Sequence, residues 1–267
     1  MAEIFDILLD VRIATLVRSS AVALLFFVFP SGPQSPQSTP PSSAPAQSPA
    51  TPPGNAPGAH VALGIVVIDP AHGGTDPGAR GGAGLRECDV VLALAGELKT
   101  ALEKQGFQIV LTRQGNDNPS FDDRSTLANA QRGAIFISLH VGSTGLLGTA
   151  RVYTSAELPG GAASPGGFLT WDRAQNAFLP SSRKLADLVQ GELAQRFKGS
   201  PDSSQTAAIR QLRTVAAPAI VVELSSVSIE DRTQLDRMLP DAAEAVARAV
   251  VAFKTAYNSS LQPGGAL

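Results

Sequence analysis

From residue 64 onward, short unbroken apolar runs alternate with longer stretches in which apolar residues return every third or fourth position. The runs are 64–69 (GIVVID), 107–112 (FQIVLT), 135–139 (IFISL), 149–154 (TARVYT) and 219–224 (AIVVEL). Short, β-branched and apolar at successive positions, they predict strands buried on both faces. The intervening stretches place Val91, Leu94, Leu98 and Leu102 on one helical face, then Leu185, Leu188, Val189, Leu193 and Phe197, then Val246, Val250 and Phe253. Asp241 followed three residues on by Glu244 reads as a capping box, so the last helix is expected to open there. Strands alternating with helices, without an internal repeat, predict an α/β fold: a single domain with a mostly parallel or mixed five- to six-stranded sheet flanked by helices on both faces. The interval from Ala156 to Pro180 breaks the rhythm. It is Gly/Pro-rich at first (ELPGGAASPGG) and predicts a long loop, with room for a short helix at Trp171 to Phe178.

The first 60 residues follow another pattern. Arg12 and Arg18 precede an apolar run from Ala21 to Phe29 (AVALLFFVF), then Pro30, Ser31 and Gly32. That layout, too short for a comfortable span, predicts a secretory signal peptide or a retained signal anchor over residues 1–32. Residues 33–61 are dominated by Pro, Ser, Gln, Thr and Ala with no charged side chain, a composition that predicts a disordered linker. The catalytic domain is expected over 62–258 and a flexible tail over 259–267. The chain has 267 residues and a formal net charge of −2, which leaves no basic field for nucleic acid. Cys88 is the single cysteine, so no internal disulfide holds the fold, and a buried packing role is expected for it.

Chemistry concentrates at strand ends. Of the three histidines, His60 falls at the linker end, whereas His72 follows the first strand in Asp69-Pro70-Ala71-His72-Gly73-Gly74 and His140 is expected just beyond the third. In an open α/β sheet the loops past the strand C-termini line the ligand crevice, so the two imidazoles can converge. Glu223 closes the buried run Ile220-Val221-Val222, an expensive place for a carboxylate without a partner. Glu87 opens the first long helix, where the helix dipole favours an ionised acid; taken alone it reads equally as an ordinary helix-start residue. Two His, one carboxylate and a further Glu are the ingredients of a hydrolytic zinc site.

The order and text of four motifs, IVVIDPAHGGTDPGA, GLRECDV, LANAQRGAIFISLH and APAIVVEL, resemble the type 3 family of N-acetylmuramoyl-L-alanine amidases, from about Gly64 to Ala256. The resemblance implies a zinc-bound α/β domain that cuts the amide between N-acetylmuramic acid and L-alanine in peptidoglycan. It further implies one zinc ion held by His72, Glu87 and His140, with Glu223 as the base that moves a proton from water to the departing amine. Arg124, Ala128 and Asn129 match the helix before the His140 strand and are expected to support the site structurally. Ala71 stands where the family usually has glycine, a change expected to be tolerated if the backbone there is not left-handed. Val141 to Ser143 and Leu224 to Ser228 also depart from the family text and bear on how substrate is held. Some family members carry an inhibitory helix in the place of Ala156 to Pro180, which implies a gate and an activator protein. Trp171 reads as a core anchor beneath that loop or as a glycan contact. The expected setting is the cell envelope or periplasm, as a monomer, touching membrane only through an uncleaved N-terminus. A wall-binding module without turnover and a zinc carboxypeptidase-like peptidase are the alternatives.

Overall fold

The computed structural model describes residues 61–157, 170–228 and 232–260. The expected signal segment, nearly all of the linker and the Gly/Pro-rich half of the long loop therefore lie outside the described residues. Six strands form one mixed sheet in the order β2-β1-β3-β6-β4-β5. They are β1 (Ile65–Pro70), β2 (Gln108–Leu111), β3 (Ala134–Gly142), β4 (Thr149–Ser155), β5 (Gln205–Ala207) and β6 (Ala219–Ser225). β1 is parallel to β2 and β3, and β3 to β6; β4 runs antiparallel to β6 and parallel to β5. The helices are α1 (Glu87–Lys104), α2 (Phe121–Asn129), α3 (Leu179–Arg196), α4 (Arg210–Arg213) and α5 (Arg232–Ser260). None among the described residues is long and apolar enough to cross a membrane.

Alternation along the strands sorts side chains onto two faces. Val66, Ile68, Ile135, Ile137, Ile220 and Val222 pack with the apolar stripes of α1, α3 and α5 in the larger core. Val67, Phe136, Ala219 and Val221 point the other way, against Ala128 of α2 and Leu212 of α4. On this second face each central strand turns polar towards its C-terminal end: Val67 is followed by Asp69, Phe136 by Ser138 and His140, and Val221 by Glu223. The apolar half holds the helices, and the polar half is where chemistry can sit.

Local chemistry sets the helix ends. α1 stops at Gly106, whose φ of 77° suits glycine. The Gly106 N–H donates to Glu103 O and the Phe107 N–H to Leu102 O, the paired bonds of a Schellman turn. α2 opens on a capping box between Ser120 and Asp123.

The expected capping box at Asp241 does not open the last helix. α5 begins at Arg232 and runs through Pro240, because Leu235, Met238 and Leu239 continue the buried stripe and packing outweighs the missing N–H. Asp241 pairs instead with Arg196 on α3. At the other end α5 continues to Ser260, two residues into the expected tail. The short helix at Trp171–Phe178 is present as a 3-10 helix, and α3 starts at Leu179, one residue before the expected loop ends. Trp171 is 53 % exposed, which excludes the core-anchor reading. Gln175 does the anchoring: its Nε2 donates to Val215 O and Ala217 O, and its Oε1 accepts from Ser182.

Candidate functional site

His72 lies two residues past β1, as the sequence indicates, but His140 sits inside β3, two residues before its end. The strand continues because Val141 still packs in the larger core, which carries the pairing on to Gly142. Glu223 is likewise within β6 and stands directly beside His140 in the parallel register, on the same face. Glu87 is the first residue of α1. The fold thus gathers His72, Glu87 and His140: one ligand atom from each lies within 4.8 Å of the others, the one such group among the described residues.

The Glu87 carboxylate is the hub. Oε1 accepts from the Val141 N–H at 3.0 Å and faces His140 Nδ1 at 2.9 Å. Oε2 accepts from the Ala79 N–H at 2.8 Å and faces His72 Nε2 at 3.2 Å. Burial pushes the Glu87 acid up, but the two imidazoles outweigh it and hold the carboxyl well below its usual range. His72 Nδ1 is 2.7 Å from Asp76 Oδ2, which turns Nε2 towards Glu87. Burial pulls the His72 ring down, yet the carboxylates of Glu87 and Asp76 carry it to about 9. Asp76 is fixed in turn by the Gly78 N–H at 3.0 Å. A buried anion facing two imidazoles, one of them oriented from behind by a second carboxylate, is a donor set that fits a divalent metal ion.

The loop that carries His72 needs its glycines. His72 itself has φ 62°, followed by Gly73 at 123° and Gly74 at 57°, whereas Ala71 has no positive φ, so its side chain sits without strain in the core. A Cβ on Gly78 would lie 2.5 Å from Glu87 Oε2 and 2.7 Å from His72 Cδ2. Beneath the loop lie two buried arginines. Arg124 bonds Asp69 Oδ1, Pro70 O, His72 O and Asn118, confirming a supporting place for it. Arg113 donates to Pro70 O, Ala71 O, Cys88 O and Gly115 O, tying the His72 loop to the start of α1. Ala128 is core, and Asn129 bonds Thr214 O and the Ala216 N–H. Cys88 is buried, as expected.

Arg113, Asp69 and Asp76 carry no functional sign in the sequence reading. Asp76 had one available, since it lies four residues from His72 across a Gly-Gly turn; the partners of Arg113 and Asp69 are too far along the chain to be read. The departures after His140 and Glu223 fall where the chain contributes backbone: the Val141 N–H serves Glu87, Gly142 O accepts from Val227, and Ser143 O accepts from Ser228 Oγ.

Burial pushes the Glu223 acid up, against the pull of His140 and Arg151. A hydrogen bond from Tyr153 and the charge of Arg151 reach the same carboxylate from β4.

Comparison with known proteins gives the arrangement a lineage. AmiC of Neisseria meningitidis serogroup B, an N-acetylmuramoyl-L-alanine amidase, is 32% identical over 192 residues, 61% of this chain and 45% of that protein. AmiC of Escherichia coli is 27% identical over 218 residues, 71% of this chain and 52% of its own length. The chain therefore spans about half the length of these relatives. Among solved structures, the amidase AmiC2 of Nostoc punctiforme superposes with a TM-score of 0.54 at 27% identity, covering 71% of this chain and 96% of that one. The N-acetylmuramyl-L-alanine amidase of Mycobacterium smegmatis shares the fold with a TM-score of 0.57 at 19% identity, over 73% of this chain and 99% of that one. The profile of the N-acetylmuramoyl-L-alanine amidase family matches residues 66–252, from β1 into α5, and on that match the chain belongs to this family.

Proposed function

We propose that this chain is an exported, zinc-dependent N-acetylmuramoyl-L-alanine amidase that hydrolyses the amide between N-acetylmuramic acid and L-alanine in peptidoglycan. The observation that carries the reading is the convergence of His72, Glu87 and His140 with Glu223 beside them on one sheet face. His72, Glu87 and His140 would hold one zinc ion; two imidazoles and a carboxylate leave a coordination position open, the composition of a hydrolytic site. When bound, zinc acidifies water and polarises a carbonyl. Glu223, whose pKa burial holds above the usual carboxylate value, takes the proton from water as the new C–O bond forms. It returns that proton to the L-alanine nitrogen as the C–N bond breaks, so a neutral amine leaves.

The test is product identity. The purified chain, supplied with zinc and muropeptides, is expected to release stem peptides with a free L-alanine N-terminus. Loss of a C-terminal residue would establish a carboxypeptidase instead, and binding without products a wall-binding module. Glu223→Gln is expected to abolish turnover while zinc stays bound; an active variant would remove Glu223 from the base role. The apolar run Ala21–Phe29 after two arginines supports export to the periplasm or cell envelope, and residues 33–61 would let a monomeric domain reach into the wall. Secretion of a reporter fused after residue 32 tests the first. A gate within Ala156 to Pro180, answering to an activator protein, predicts a higher basal rate when that segment is deleted; an unchanged rate rules it out.

A further inference from the structure

β4 is the antiparallel neighbour of β6, and it carries two polar side chains onto the face that holds His140 and Glu223. Arg151 stands opposite Glu223 in the register, with Tyr153 two residues on. Neither has a part in the chemistry above. The Tyr153 hydroxyl donates to Glu223 Oε1 at 3.3 Å, and Arg151 Nη1 lies 3.7 Å from the same oxygen. The neighbouring backbone closes in on that side as well: a Cβ on Gly142 would come within 3.2 Å of Glu223 Cδ and 3.3 Å of Oε1. The guanidinium packs close to Gly145, where a Cβ would lie 2.9 Å from Nη2 and 3.0 Å from Nη1. Oε2 is different. Among the described residues it has no hydrogen-bond partner, and it is not sealed in, since the one buried side-chain atom lacking a partner is Gln211 Oε1.

We propose that Tyr153 and Arg151 are positioning residues for Glu223: they hold Oε1 and so assign the proton transfer of the hydrolysis to Oε2. The assignment rests on Glu223 being the base of that reaction. A glutamate carboxylate turns readily about its last torsion, whose preferences are broad and two-fold. A donor fixed to one oxygen removes that freedom, so the other meets water and leaving amine in the same geometry at each turnover. Tyr153 suits this task because burial and the adjacent carboxylate push its hydroxyl up to about 12, which keeps its proton in place as a donor. Arg151, at 3.7 Å, acts as a point charge rather than a bidentate clamp, so a lysine can substitute for it.

The experiment uses the full zinc-loaded chain and its Tyr153→Phe, Arg151→Met, Arg151→Lys and Glu223→Gln variants, with kcat and KM, zinc content and Tm measured for each. Tyr153→Phe is expected to lower kcat roughly 10-fold and Arg151→Met roughly 10- to 100-fold, the range set by misplacing a catalytic group. KM and zinc content should stay within about twofold, the signature of an effect confined to the transition state. Arg151→Lys should recover most of the loss. The assignment is overturned if kcat is unchanged, if KM rises alone, or if lysine fails to rescue while Tm is preserved. A Tm drop in Arg151→Met leaves Tyr153→Phe and Arg151→Lys to decide. A fully active Glu223→Gln would instead defeat the base reading, and a wild-type chain that releases no stem peptide would defeat the amidase reading itself.

Discussion

Replacing Arg113 with methionine should loosen His72 and Glu87, two of the proposed metal ligands, at once without touching either. The guanidinium is buried, and among the described residues no carboxylate is bonded to it; its bonds go to the carbonyls of Pro70, Ala71, Cys88 and Gly115, at 2.7–2.9 Å. Burial and the nearby Arg124 charge pull the Arg113 pKa below the ordinary arginine value, and the carbonyl dipoles oppose them by favouring the protonated form. In the variant, Pro70 O keeps Arg124 and Cys88 O keeps its bond in the first helical turn. Ala71 O is left bare in the core, whereas Gly115 O, on a half-buried residue, turns to water. The stranded carbonyl costs about 1–3 kcal/mol and the lost charged hydrogen bonds add to it, offset in part because a guanidinium is no longer buried, for a net loss of about 2 kcal/mol. In a domain of this size that is a Tm drop of about 4–8 °C. Because Ala71 adjoins His72 and Cys88 adjoins Glu87, zinc affinity should fall about 10- to 100-fold, as when outer support of ligands is removed. Urea denaturation with chelator present isolates the first effect, and competition against a chromophoric chelator measures the second. Lys99→Ala, which breaks an exposed pair with Glu103, serves as the control at about 0–1 kcal/mol. A loss below about 1 kcal/mol with unchanged zinc affinity would refute the reasoning.

Three further outcomes are expected. The His72 ring sits at about 9, above its ordinary 6.5, so in metal-free protein its stabilising contribution is complete below pH 6.5 and is lost as pH rises through 9. Zinc needs the neutral ring, so its affinity should move the opposite way, rising with pH as protons are released; calorimetry in buffers of different ionisation enthalpy reads the proton count. Asp76→Asn should weaken zinc binding about 10- to 100-fold while leaving the sheet intact by circular dichroism, because it removes the anion behind Nδ1. Gly78→Ala should abolish zinc uptake, since its Cβ would overlap Glu87 and His72, whereas Gly82→Ala, with open space around it, should bind zinc normally.

Where stability depends on burial, the sequence is readable. The runs from 64, 135 and 219 become β1, β3 and β6 because one face packs on helices along its length and the other along its apolar half, and unbroken β-branched stretches record that directly. β5 escapes such reading: its three residues, Gln205–Ala207, are mostly exposed and pair only with β4 at the sheet edge. Asp241 and Glu244 mislead because a capping box is a local signal, and the apolar stripe from Leu235 onward overrides it. Of the four proposed site residues, His72, His140 and Glu223 are visible at or near strand ends, whereas Glu87, the first residue of α1, is visible only through family text. Their supports are not, since Arg113 reaches back 43 residues to Pro70, Ser138 reaches 69 to Asp69 and Tyr153 reaches 70 to Glu223. Contacts that long depend on strand order, which no local pattern encodes.

Because β4 runs against β6, Thr149 lies beside Ser225 while Tyr153 has already descended to Val221. The strand therefore delivers its last residue, Ser155, to the end of the sheet away from His140 and Glu223. α3 returns at that same end, where Ser182 Oγ accepts from the Ala219 N–H. Both attachment points of the segment between β4 and α3 thus sit away from His72, Glu87 and His140, while the loops that follow β1, β2, β3 and β6 leave the sheet on the side of those residues and form their rim. This divides the molecule into independently variable parts. Lengthening the chain between β4 and α3 can graft on a docking module or alter access with the ligand geometry undisturbed, whereas a new substrate preference has to be written into the rim.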